Sequence, residues 1–219
     1  MNRALLWICV IGGIIALFFL LIRFANTSQT TEPGMLSEAL APHDHLKGNR
    51  DAKVVLVEYS DFECPACAGA YPSIDLLAQK YGDQLAVVYR HFPLREIHPN
   101  AQLAAQAAQA AGTMGNFWEM HDALFNTQNQ WTRMNRSDAE AFFVKLGESL
   151  SFNAETFRTT MNSKEAKDAV DRDYDSGLAS KVNSTPSFFL QGKEVTLTSS
   201  YSELDPLIQQ AIDAAYATE

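Results

Sequence analysis

The stretch Val54-Val55-Leu56-Val57-Glu58-Tyr59-Ser60-Asp61-Phe62-Glu63-Cys64-Pro65-Ala66-Cys67 decides how this chain folds. Val54 to Tyr59 reads as a short strand, apolar enough to be buried on both faces of a parallel or mixed sheet. The two cysteines open a helical segment that continues from Ala68 to Lys80. Thiols at i and i+3 on a first helical turn share one face and lie within disulfide reach. Unpaired N–H groups and the positive end of the helix dipole stabilise a thiolate at Cys64. Pro65 suits the first turn, where its missing N–H would have had no partner. A redox-active pair is the reading that uses all of these features. Zinc would need about four nitrogen or sulfur ligands, but the third cysteine is Cys9 and His91 is separated from the pair by a helix and a strand. No metal site is therefore expected. An inert structural disulfide is the remaining reading, although a chain of 219 residues needs no staple.

Working toward the N-terminus, Ala4 to Ile22 is an apolar run of 19 residues between Arg3 and Arg23. It is long enough to span a bilayer as a helix. It is longer than the apolar core of about 7–15 residues of a cleaved signal peptide, and no small-x-small site follows it. Cys9 lies inside the run after Trp7-Ile8, which does not fit lipidation, and reads as a small apolar residue. Residues 1–25 are thus expected to be a single membrane anchor. Residues 26–45 are expected to be a flexible tether ending in His43-Asp44-His45, a solvated loop rather than a ligand cluster. The folded domain is expected over 46–219.

All 26 acidic residues follow the anchor, which itself holds 2 of the 17 basic ones. So acidic a domain argues against nucleic acid and against adsorption to an anionic membrane surface. One arginine at each end of the anchor leaves its orientation open by charge. A dithiol pair makes chemical sense on the oxidising side, so the domain is placed outside the cytoplasm, on the periplasmic or outer face.

Beyond the cysteine helix, Leu85 to Tyr89 reads as a second strand, ended by Pro93. Asn100 to Ala111 is an alanine-rich helix expected to stop at Gly112. Phe117, Met120, His121, Leu124 and Phe125 keep helical spacing, with His121 at the edge of a core. Ser137-Asp138-Ala139-Glu140 resembles a capping box, and two further helices follow over 154–161 and 164–180. Ser187 to Leu190 and Glu194 to Thr198 have hairpin spacing, and Ser202 to Ala217 closes the chain as an amphipathic helix. Setting aside the helical block at about 98–181 leaves β-α-β followed by β-β-α. That is an α/β thioredoxin fold with an inserted helical subdomain.

Two further positions carry chemistry. Glu58 stands inside an apolar strand, where a carboxylate is costly to bury. Six residues before Cys64, it is placed to lie beneath the helix turn near Cys67, where burial would raise its pKa and suit it to move protons to and from the second thiol. Thr185-Pro186 precedes the third strand, a position where a proline is tolerated and a cis bond is a built feature. Glu63 would by charge work against a thiolate at Cys64, and Ala66 adds no side-chain donor.

The C-P-x-C helix, the helical insertion and the Thr-Pro before a hairpin resemble the DsbA family of thiol–disulfide oxidoreductases, in particular its membrane-anchored branch. Gly48-Asn49, Asp61-Phe62-Glu63-Cys64 and Tyr89-Arg90-His91-Phe92-Pro93 share in the likeness. The resemblance implies that Cys64 is the attacking cysteine and Cys67 the resolving one, with Glu58 as the buried acid. It implies that Thr185 and Pro186, with Pro65 and Ala66, face an extended substrate segment. No cofactor beyond the Cys64–Cys67 disulfide is implied. The implied partners are reduced or misoxidised extracytoplasmic proteins and a quinone-linked, DsbB-like membrane reoxidase. Strongly oxidising members carry a histidine where this chain has Ala66, so the resemblance implies a less oxidising couple. A reductase or isomerase using the same site, and a non-catalytic chaperone with a structural disulfide, are the alternative functions.

Overall fold

The computed structural model describes residues 34–195 and 201–217. The expected anchor and the first part of the tether lie outside the described residues, among which no helix is long and apolar enough to cross a membrane. In chain order the elements are β1 (His45–Gly48), β2 (Val54–Ser60), α1 (Pro65–Tyr81) and β3 (Leu85–His91). A helical block follows: α2 (Ala101–Thr113), α3 (Phe117–Asn126), the single turn α4 (Gln128–Trp131), α5 (Arg136–Ser149), α6 (Ala154–Met161) and α7 (Lys164–Ala179). The chain closes with β4 (Ser187–Leu190), β5 (Lys193–Val195) and α8 (Tyr201–Tyr216).

The strands line up in the order β1-β3-β2-β4-β5. β2 and β3 are parallel, from Val54 opposite Leu85 to Ser60 opposite His91. The other three pairings are antiparallel. Alternation along β2 assigns its residues to two layers. Val54 and Leu56 pack with Ile74 and Leu77 of α1 and with Leu204 and Ile208 of α8. Val57 and Tyr59 face the other way, toward Phe92, Val182 and Tyr174. The helical block has its own core around Leu103, Met120, Trp131, Phe143 and Phe157, and that core also takes in Phe62, Cys64 and Cys67. The cysteine turn is therefore held between the sheet and the inserted helices.

Several local expectations need correction. Residues 34–45 are not a tether. Gly34 and Leu36 bond to the β5 hairpin through Gly34 N–H to Glu194 Oε2 (2.9 Å) and Leu36 N–H to the Gly192 carbonyl (2.8 Å). His45 begins β1 and stacks on Phe117 with ring centroids 3.5 Å apart. Asp44 is buried against Arg90, whose Nε and Nη2 donate to its two carboxylate oxygens at 2.9 and 3.0 Å. The same guanidinium donates to the carbonyls of Glu38 and Ala39 and to the Tyr59 hydroxyl. A polar, Gly/Pro-containing segment can thus be ordered by a partner far along the chain. Gly112 does not end α2. A Cβ there would lie 2.7 Å from His45 Cε1, so the glycine provides a close approach, and the positive φ (+90°) falls at Gly115. The N-cap of α5 is Asn135, whose side chain accepts the Asp138 N–H, rather than Ser137. The hairpin turn is Gln191-Gly192 with φ of 51° and 78°, so Lys193 already belongs to β5. Positive φ at both central residues matches the strand twist, as in a type I′ turn.

Asp44→Ala would strand the buried Arg90 charge. Breaking such a pair from one side costs about 3–5 kcal/mol, so urea denaturation is expected to show a loss of that order.

Candidate active site

Cys64 is the N-cap of α1, with φ −73° and ψ 122°, and Pro65 occupies the first turn. Its N–H donates to the Asp61 carbonyl at 3.1 Å, and its thiol donates to the Thr185 carbonyl at 3.4 Å. The Thr185–Pro186 bond is cis. Pro65 and Ala66 are exposed while both thiols are buried and unbonded to each other, Cys67 at 0% exposure and Cys64 at 7%. The expected site residues on α1, on β2 and before β4 are thus brought to one end of the sheet.

The two sulfurs sit in opposed environments. The Cys67 thiol first, and then Thr185 and the backbone N–H groups of Cys67 and Ala66, bring the Cys64 thiol down to about 5 against the effect of its burial. These are the unpaired amides of a helix start turned toward a sulfur. Ala66 therefore contributes through its main chain. The Thr185 hydroxyl has no partner of full hydrogen-bond geometry, which leaves it free to turn toward a thiolate. Burial, then the neighbouring Cys64 sulfur and the Glu58 charge, push the Cys67 thiol well above its ordinary value.

Glu58 lies on the α1 side of β2, two residues from Leu56, and is 4% exposed. Desolvation raises its carboxyl to about 7, with Ser60 acting in the opposite direction. Its charge is among the causes that raise the Cys67 thiol, after burial and the Cys64 sulfur. Ser60 and Tyr89 complete the polar floor. Both hydroxyls are buried without a partner of full geometry, and burial raises the Tyr89 phenol far above its ordinary value. Glu58 and Tyr89 border the same narrow cleft as the half-exposed Lys47–Asp75 pair, whose Nζ–Oδ1 distance is 2.6 Å.

Glu63 does not face the thiol in the manner its sequence position suggests. Its Oε2 accepts the Asn100 N–H at 2.7 Å, at the start of α2, and burial raises its pKa. Three residues escaped the sequence reading. Asp61 joins the cysteine turn to the loop after β3. Gln128 donates to the carbonyls of Phe62 and Cys64 at 2.8 and 2.9 Å, tying the insertion to the turn. His98 donates to Asp61 through Nδ1 at 2.7 Å. Only Asp61, three residues before Cys64, carried any signal. Among the described residues no His, Cys, Asp and Glu cluster suits a metal ion.

A family model described as Thioredoxin matches residues 40–210, and the chain belongs to that family. Solved structures with the same fold include alpha-DsbA1 of Wolbachia pipientis, with a TM-score of 0.73 at 19% identity over 82% of this chain and 96% of that one. BdbD of Bacillus subtilis in its oxidised form gives 0.71 at 22% identity over 83% and 98%. The likeness is one of fold, helical insertion included. In sequence, the Na(+)/H(+) antiporter NhaA 3 of Salinispora tropica is 38% identical over 150 residues, which are 68% of this chain and 22% of that protein. NhaA of Herminiimonas arsenicoxydans is 36% identical over 164 residues, 74% and 25% respectively. The chain spans about a quarter or less of the length of these relatives.

The raised Glu58 carboxyl sets a pH signature. A group whose folded pKa lies above its unfolded value gives stability that is full below the unfolded pKa and lost as pH rises through the folded one. For Glu58 that window runs from 4.5 to about 7. Asp173, also raised to about 7 by burial, titrates in the same window and is common to both proteins compared. Glu58→Gln should therefore gain on the wild type by about 3 kcal/mol across this interval, at 1.36 kcal/mol per pKa unit. A difference that stays flat in urea titrations from pH 4.5 to 7 would contradict the buried acid.

Proposed function

We propose that this protein is a dithiol oxidase that introduces disulfides into extracytoplasmic proteins by exchange at Cys64 and Cys67. The single observation that carries the reading is the contrast between the sulfurs: an acidic Cys64 at a helix start above a buried, basic Cys67. A thiolate stabilised at Cys64 stabilises the reduced pair, and a couple whose reduced form is stabilised is the better oxidant. The amides at the start of α1 supply part of what the missing histidine at position 66 would give.

In the exchange, a substrate thiolate attacks Cys64 of the oxidised pair. The Cys64–Cys67 bond breaks as the bond to the substrate forms, and the electron pair leaves on Cys67. Glu58, protonated near neutral pH, is the nearby acid that gives this sulfur its proton. A second substrate thiolate then attacks the substrate sulfur of the mixed disulfide, and Cys64 departs as its favoured thiolate. Two electrons have moved from the substrate dithiol to the pair. Reoxidation falls to a quinone-linked membrane partner, and the apolar run at residues 4–22 would hold the domain at the membrane that such a partner occupies. The substrate lies along the Thr185–Pro186 loop, beside a largely apolar groove lined by Leu94, Ile97, Tyr174 and Thr185.

Cys64→Ser is expected to abolish oxidation of a reduced model protein; an unchanged rate would assign the nucleophile elsewhere. Cys67→Ala should accumulate mixed disulfides on non-reducing gels. The reduction potential in a glutathione buffer should fall near about −120 to −180 mV, the span of oxidants and isomerases. A value near about −270 mV would make the protein a reductase, and resistance to mild reductant would make the disulfide structural.

A further inference from the structure

We infer that His98, clamped on Asp61 at the rim of the cysteine turn, is a positioning residue that holds Cys64 as its thiolate, in the role a histidine between the two cysteines would fill. The consequence for exchange rests on the proposed function; the thiol chemistry itself does not.

Asp61 is the joint. Its side chain is fully buried, and it accepts three hydrogen bonds: from Glu63 N–H (2.7 Å), Leu94 N–H (2.8 Å) and His98 Nδ1–H (2.7 Å). Its carbonyl accepts the Cys64 N–H. One residue therefore fixes both the turn that presents Cys64 and the loop that presents His98. That loop and Thr185 line a common groove, and the Thr185 carbonyl is 3.4 Å from Cys64 Sγ. The imidazole is thus tied, through Asp61, to the turn that presents Cys64.

The charges complete the case. The negative groups acting on His98 are Asp61, Cys64 and Glu63, and together they favour its cation, the Asp61 hydrogen bond most of all, against desolvation. Nearby Arg95 is engaged elsewhere, with Asp171 at 2.6 Å and Gln102 at 2.8 Å. An electrostatic interaction is reciprocal: a thiolate that favours the imidazolium is favoured by it to the same degree. An imidazolium at His98 thus adds to the stabilisation that the Cys67 thiol, Thr185 and the helix-start amides give the Cys64 thiolate.

The test reads the thiol and the imidazole directly. In the wild type, NMR titration of His98 should give a higher midpoint in the dithiol form than in the disulfide form, since only the former carries the Cys64 charge. Equal midpoints would overturn the inference without recourse to any variant. In His98→Gln, which can still donate to Asp61, iodoacetamide alkylation of Cys64 near pH 5 should slow severalfold and its pH profile should move upward. The equilibrium constant with glutathione should fall in parallel, each tenfold change moving the couple about 30 mV toward reducing potentials. His98→Lys should retain the wild-type profile. An unshifted His98→Gln profile, or a folded His98→Lys that alkylates like His98→Gln, would refute the charge effect. A wild type that shows these effects but oxidises no reduced protein would sustain the role of His98 and overturn the oxidase reading instead.

Discussion

The buried guanidinium of Arg90 is the constraint on which the arrangement depends. It sits on β3 at 1% exposure, and its Nε, Nη1 and Nη2 all find acceptors: the Asp44 carboxylate, two carbonyls of the 38–39 segment and the Tyr59 hydroxyl of β2. Replacing such a pair wholesale with apolar groups need not destabilise a protein, whereas removing one member does. What the pair specifies is geometry. It pins the N-terminal strap across the end of β2 and β3 at which Ser60, Asp61 and the cysteine turn emerge. The register of these two strands sets Glu58 beside Tyr89 and Ser60 beside His91, and with it the polar floor beneath Cys67.

Above that floor, two electrostatic effects pull in opposite directions over a single helical turn. Peptide dipoles and unpaired amides at the start of α1 favour charge on the outer sulfur. Exclusion of water disfavours charge on the inner one. Neither effect would polarise the pair so strongly alone, because burial also acts on Cys64 and is overcome there by directed donors. The inserted helices matter for this reason. Gln128 and the core around Trp131 and Phe143 close the side of the turn that a bare thioredoxin-like sheet would leave open to solvent.

Much of this was legible in the sequence because the signals are local. β2, β3 and the hairpin announce themselves by short apolar runs and turn residues, and α1 by thiols spaced one turn apart with a proline at its start. Glu58 was legible as an anomaly, a carboxylate in an otherwise apolar strand. The features that escaped depend on partners distant in the chain. The strap over 34–44 has a linker's composition and is ordered by an arginine 46 residues after Asp44. Gly112 looks like a helix stop and is instead a seat for His45. Glu63 looks like a thiol neighbour, yet its carboxylate turns to the first amide before α2. Asp61 and His98 stand 37 residues apart, and no periodicity connects them.

The strap has a consequence of another kind. A sheet's outer strands offer unpaired amides and carbonyls to any extended chain that passes. Here Met35 bridges to Lys193 and the Gly34 and Leu36 backbones bond along the β5 hairpin, while the Trp118 indole donates to the Leu46 carbonyl on β1. Both margins of the sheet are thus partly occupied by the chain itself. An extended chain that found such an edge open could add to it as a further strand and seed an aggregate. The covered margins leave little open ladder for such a chain, while the Thr185 carbonyl before the cis Pro186 stays 3.4 Å from the Cys64 sulfur.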